Sequence, residues 1–124
     1  MPRKISTDKA PQAIGPYSQA TVVGNLVFTS GQIPINPTTG AIEGEDIVSQ
    51  AEQVMKNLSE VLNAAGSSLE KAVKTTCYLA DMKDFARFNE VYARYFSEKP
   101  ARSCVAVKEL PKGALAEVEV IAEI

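Results

Sequence analysis

The stretch "RSCVAVKELPKGALAEVEVIAEI", Arg102 to Ile124, decides how this chain folds. It reads as two strands, Arg102 to Val107 and Leu115 to Ile124, since β-branched residues recur on both sides of "KELPKG", a connection holding a proline and a glycine. Two strands in succession at this end break the regular alternation of a doubly wound parallel fold.

Outward from that stretch, the elements follow from their spacing. In the segment ending at Phe96, the residues Phe85, Phe88, Val91, Tyr92, Tyr95 and Phe96 form one stripe, which predicts a helix packed on a sheet. "AVKTTCYLA", residues 72 to 80, is rich in β-branched and aromatic residues and predicts a strand. From Ile47 to Ala65 the apolar positions Ile47, Ala51, Val54, Met55, Leu58, Val61, Leu62 and Ala65 recur at steps of three and four. They predict an amphipathic helix, capped by Asp46 and ended by Gly66. "QIPINPTTGAIEGED" is a long connection, while "ATVV" and "LVFTSG" flank a Gly24-Asn25 hairpin turn. "KAPQAIGPYSQA", residues 9 to 20, with two prolines and a glycine, reads as an ordered loop. The order β-β-α-β-α-β-β predicts an α+β fold, one domain over residues 1–124, with both helices on one face of a mixed sheet.

The 124 residues are 45% hydrophobic and 23% charged, with a formal net charge of −2. No lysine or arginine run makes a basic stripe, which argues against nucleic acid as a partner. No apolar stretch approaches the ~20 residues of a membrane span, and "MPRKISTDKAP" lacks the core of a secretion signal, so the reading is a cytoplasmic protein without membrane partners. Cys77 and Cys104 match no metal or redox spacing and read as free thiols. The chain has no histidine, which removes Ser-His and Cys-His pairings and histidine-held zinc. Acid-base chemistry must use carboxylates, Lys, Tyr or Cys.

Alternation assigns the faces. Ser103, Val105 and Val107 are expected to meet the helices together with Val118, Val120, Ala122 and Ile124. Arg102, Cys104, Glu117 and Glu119 are then expected to share the opposite face, beside the apolar Leu115, Ala106 and Ile121. Two helices on the other side cannot cover that mixed face, so another copy of the chain is the natural cover. Arg102 in the wall of a cleft between copies is either a ligand's anchor or half of a structural ion pair.

The segments "AIGPYSQA" (13 to 20), "TSGQIPINPTTG" (29 to 40), "AAG" (64 to 66), "VKTTCYLADMKDFARFNEVYARYF" (73 to 96) and "PARSCVAVKELPKGALAEVEVIA" (100 to 122) resemble the RidA (YjgF/YER057c/UK114) family of enamine and imine deaminases. The resemblance runs from about Ala10 to Ile124, and the last segment is its most specific motif. It implies a chorismate-mutase-like fold assembled as a homotrimer into a barrel, with sites between subunits. It also implies hydrolysis of 2-imino acids, such as 2-iminobutanoate and 2-iminopropanoate, to 2-keto acids and ammonia, without metal or cofactor.

Carried over by position, the resemblance puts the carboxylate-binding role on Arg102 and the water-positioning role on Glu117. It makes Cys104 a lining residue, Tyr17 the aromatic that closes the pocket from the opposing chain, and Ser30 and Gly31 the loop against the ligand. Asn89 of "FARFNEVY" falls on a motif position and joins the substrate-binding set. The connection "YFSEKPARS" is shorter than in many relatives. A non-catalytic binder of small keto acids, or a regulatory protein, would need Arg102 but not Glu117. A ribonuclease or translation inhibitor would favour the basic groove and histidine pair that this sequence lacks.

Overall fold

The computed structural model describes residues 2–124. Six strands form one sheet in the order β1-β2-β3-β6-β4-β5: β1 (Arg3–Ile5), β2 (Ala20–Val23), β3 (Leu26–Thr29), β4 (Ala72–Leu79), β5 (Ala101–Ala106) and β6 (Ala116–Glu123). The helices are α1 (Ile47–Ala64), between β3 and β4, and α2 (Phe85–Tyr95), between β4 and β5. Only the β4–β5 pair is parallel, as expected of two strands joined by a crossover helix, while the other pairs are antiparallel. The sheet is therefore mixed, and both helices lie on one of its faces.

The expected elements are present, and one was missed. The extra strand, β1, has three residues, two of them exposed, and pairs with β2 at the sheet's edge. So short an edge strand shows no alternation for a sequence reading to detect. The α1 start is fixed by the Asp46 carboxylate, which accepts from the Ser49 N–H at 2.8 Å, and its end by Gly66, at φ +84°. A glycine takes that left-handed conformation without the Cβ clash that would strain other residues.

The core lies between sheet and helices. Val54, Met55, Leu58 and Leu62 of α1, Phe88 and Val91 of α2, and Val27, Leu79, Val118 and Val120 of the sheet are buried in one cluster. Fully burying an aliphatic or aromatic side chain of this kind contributes roughly 1.5–3 kcal/mol. The cluster therefore holds the sheet rigid behind whatever its edges carry.

The face assignment of β5 needs correction. Thr75, Cys77 and Leu79 of β4 are buried toward the helices, and the parallel register pairs Thr75 with Arg102 and Cys77 with Cys104. Arg102 and Cys104 therefore lie on the helix side. Val105 is 47% exposed and shares the outer face with Tyr78 and Glu117, its neighbours across the ladder. The physical reason is the edge position of β5, where the helices no longer require an apolar partner at every inward position. The assignments for β6 hold except at its end: Val118, Val120 and Ala122 are buried, and Glu117 and Glu119 face outward with Ile121, but Ile124 lies beyond the strand and is 41% exposed, since no ladder or helix covers the last residue.

Candidate functional site

The residues singled out in the sequence fall into two groups on opposite faces of the sheet. The first group, on the helix side, is built around Arg102. Its guanidinium carbon lies 4.7 Å from the ring centre of Tyr92 and 5.5 Å from that of Phe85. Its Nη1 donates to Asn89 Oδ1 at 2.7 Å. Asn89 and Tyr92 are three residues apart on α2, so one helix face supplies both the seat and the anchor. Tyr92 is itself fixed, because its hydroxyl hydrogen-bonds to Thr75 Oγ1 at 2.7 Å and its ring stacks on Phe96 at 4.6 Å. A cation held against aromatic rings with one nitrogen engaged presents its remaining N–H groups in a set direction. Beside it opens a cavity of about 290 Å³, lined by Asn89, Tyr92, Phe96, Lys99 and Arg102 among others. The connection before β5 turns sharply here, with Lys99 at φ 54°.

Cys104, half-buried, belongs to the same side. Burial raises its thiol pKa against the lowering effect of Arg102, and burial first of all pushes Cys77, opposite it on β4, up to about 12. Both cysteines are free. Thiols so placed stay protonated at neutral pH and are poor nucleophiles.

The second group lies on the outer face. Tyr17, Ser30, Gly31, Glu117 and Glu119, with Ile14, Thr29 and Pro111, line a cavity of about 450 Å³. Tyr17 is 45% exposed, and its hydroxyl accepts from the Ile14 N–H at 3.2 Å. Ser30 is tied down by donating to the Ser18 carbonyl at 2.6 Å. Glu117 is half-buried, and no salt bridge among the described residues involves it. Its carboxyl pKa is raised, first by burial and then by the Glu119 charge. An unpaired carboxyl with a raised pKa, open to a cavity, is suited to exchanging a proton with a bound molecule.

Gly31 makes room for that carboxyl. A methyl group at residue 31 would come within 2.8 Å of the Glu117 carboxyl carbon, and closer still to Oε2. Because the obstructing atoms are the free end of a flexible side chain, Gly31→Ala is expected to unfold at nearly the wild-type temperature while displacing Glu117. An error of about 1 Å can cost roughly a hundredfold in rate, so a tenfold or greater loss of turnover is expected. Thermal unfolding and an activity assay on the same preparation check this result.

Several contributors were not read from the sequence. Gln19 is buried; its Nε2 donates to the carbonyls of Thr7 and Pro11 at 3.0 and 2.7 Å, and its Oε1 accepts from the Thr7 N–H at 2.6 Å. It thereby organises the loop that carries Ile14 and Tyr17. Asn57, buried on α1, donates to the carbonyls of Ile33 and Ile35 at 3.1 and 2.9 Å and steadies the chain beyond Gly31. Phe85 and Tyr92, read as core residues, also seat Arg102. For Asn57 the available signal was an amide on the apolar face of α1, three residues from Val54 and four from Val61, since a buried amide satisfies backbone groups that lack a ladder; Gln19, in a loop, gave none.

Arg102 and Glu117 do not meet within one copy. Arg102 is level with Thr75 and Glu117 with Tyr78, with β4 between their strands, so their backbones are roughly 14 Å apart with side chains on opposite faces.

A mixed sheet with two helices on one face, one cavity beside its edge strand β5 and another on the outer face over β3 and β6, defines a chorismate-mutase-like α+β chain. The protein belongs to the endoribonuclease L-PSP family, the RidA family of the sequence resemblance, whose model matches residues 7–124. It is 54% identical over 123 residues to a RutC family protein of Pyrococcus horikoshii, covering 98% of each chain. The RidA structure from an Antarctic Psychrobacter superposes with a TM-score of 0.95 at 46% identity, over 98% of this chain and 99% of that one. Escherichia coli TdcF, solved with bound serine, gives a TM-score of 0.93 at 44% identity over 98% of each chain. Among the described residues no helix is long and apolar enough to cross a membrane, and no group of three His, Cys, Asp or Glu is placed to hold a metal ion.

Proposed function

We propose that this protein hydrolyses small 2-imino acids, such as 2-iminobutanoate and 2-iminopropanoate, to 2-keto acids and ammonia, in sites completed between copies of the chain. The observation that carries the reading is the division of the site: a fixed arginine fork on one face and an unpaired carboxyl in a cavity on the other. A substrate with only a few heavy atoms cannot span roughly 14 Å, so the cavity of one copy must be brought against Arg102 of another. A homotrimer, the assembly implied by the resemblance, would supply three such junctions.

The chemistry follows from the groups. The N–H groups of Arg102 not engaged by Asn89 take the substrate carboxylate through parallel hydrogen bonds. Serine, bound in the TdcF structure, carries the same α-carboxylate. Held in place, the C=N carbon faces a water on Glu117. The water oxygen bonds to carbon as Glu117 accepts a proton, and the C=N electron pair moves to nitrogen. Glu117 returns the proton to nitrogen, giving a carbon that bears OH and NH2; it then takes the hydroxyl proton and passes it to that nitrogen, and the C=O bond forms as the C–N bond breaks and ammonia leaves. The thiols take no part, in keeping with their raised pKa values.

The test couples an amino acid oxidase to the purified protein and follows imine decay by semicarbazide trapping. Faster decay is expected, with sedimentation at micromolar concentration giving the mass of three chains. No acceleration with any amino acid would replace the deaminase reading with that of a binder, and a monomer would remove the shared site.

A further inference from the structure

The outer cavity holds a second carboxylate, and the hydrogen bonding around it is uneven. Glu117 and Glu119 are two residues apart on β6, on one face, and both line the cavity. Tyr78 lies directly opposite Glu117 in the β4–β6 ladder, so it is the phenol best placed to bond to Glu117. Its hydroxyl instead donates to Glu119 Oε1 at 3.0 Å, reaching along the diagonal. The other groups facing Glu117 are Tyr17 from the N-terminal loop, Thr29, Ser30 and Gly31 from the end of β3, and Pro111 from the turn before β6. No lysine or arginine lines the cavity among the described residues.

We propose that Glu119, held by Tyr78, is a positioning residue that governs the proton on Glu117. It fixes a negative charge beside that carboxyl and draws off the phenol that lies directly opposite it in the ladder. This rests on the hydrolytic reading, which needs Glu117 first to take a proton and then to give it back. A carboxylate beside a like charge is a stronger base, and its acid form keeps the proton to higher pH. The Glu117 pKa is raised first by burial and next by Glu119, in line with that role. The Tyr78 pKa is raised, first by its bond to Glu119, so the hydroxyl remains a donor through neutral pH. In the assembled site, Arg102 of a neighbouring copy acts in the opposite sense, and the substrate carboxylate neutralises it.

Glu119→Gln, Tyr78→Phe and Glu119→Asp in the full chain test the proposal. Carbon NMR of glutamate side chains follows the Glu117 titration directly, without reference to turnover. In Glu119→Gln the Glu117 midpoint is expected to fall by roughly half to one pH unit, with the acid limb of kcat/KM for imine hydrolysis moving in the same direction. Tyr78→Phe is expected to shift both by less, and Glu119→Asp, which keeps the charge, to stay near wild type. A Glu117 midpoint unchanged in a folded Glu119→Gln protein would overturn the proposal. If the midpoint falls but the wild type hydrolyses no imine, the coupling stands and the hydrolytic reading fails.

Discussion

Glu117→Gln is expected to lower imine hydrolysis by roughly a hundredfold or more while 2-ketobutyrate, a product lookalike, still binds with near wild-type affinity. The amide keeps the shape that fills the space over Gly31 and removes what the reaction needs from this residue, a group that accepts a proton from water. Stability should change little. The carboxyl makes no salt bridge to lose, and the substitution removes a like charge facing Glu119 from a half-buried position. The measurements are single-turnover imine decay, calorimetric titration of 2-ketobutyrate and thermal unfolding. Hydrolysis close to wild type in a folded Glu117→Gln protein would assign the base to another residue.

Residues with one possible partner were the legible ones. The spacing of α1 allowed a single buried face, and Asp46 and Gly66 marked its ends through capping chemistry that depends on near neighbours alone. The β6 alternation was unambiguous because its two phases differ sharply, one of valines and alanines and the other of glutamates. Strand β5 was ambiguous. In "ARSCVA" both phases mix small apolar and polar residues, and the charge on Arg102 turned the reading outward. Two rings and an amide, contributed by α2 from 10 to 17 residues earlier, make an inward arginine stable here. The two rings stood in the sequence as part of an ordinary core stripe and Asn89 as a motif position, so the pairing could be seen only once the crossover had brought α2 over the edge strand.

The same limit applies to the site as a whole. Arg102, Asn89 and Cys104 gather on one side, and Tyr17, Ser30, Gly31 and Glu117 on the other, but the sequence reading placed Arg102 and Glu117 on one wall. A one-residue change of phase moves every side chain of a strand to the opposite face. That single error in β5 hid the division of the site, and with it the strongest structural reason for more than one copy of the chain. Gln19 and Asn57 were missed for another cause. The contacts that matter are to backbone groups, which leave no mark in a pattern of side chains.

Arg102→Lys is expected to weaken 2-ketobutyrate binding by roughly 1.5–3 kcal/mol, the range for a hydrogen bond to a charged group, and to lower turnover with it. Lysine keeps the positive charge but offers no planar fork, loses the flat contact with Tyr92 and Phe85, and cannot bond to Asn89 and span a carboxylate in the same way. The division of the site then makes a sharper prediction for mixtures. Arg102→Lys chains retain Glu117, and Glu117→Gln chains retain Arg102, so a junction with one of each in the right order contains both intact groups. If chains unfolded together assemble at random into cyclic trimers, three-quarters of the trimers are mixed and each has one intact junction in three, so activity should recover to about a quarter of wild type. Each variant refolded alone should stay near its own low rate. A refolded mixture no more active than the mean of its parents, with sedimentation confirming mixed trimers, would place Arg102 and Glu117 in separate functions and remove the shared site.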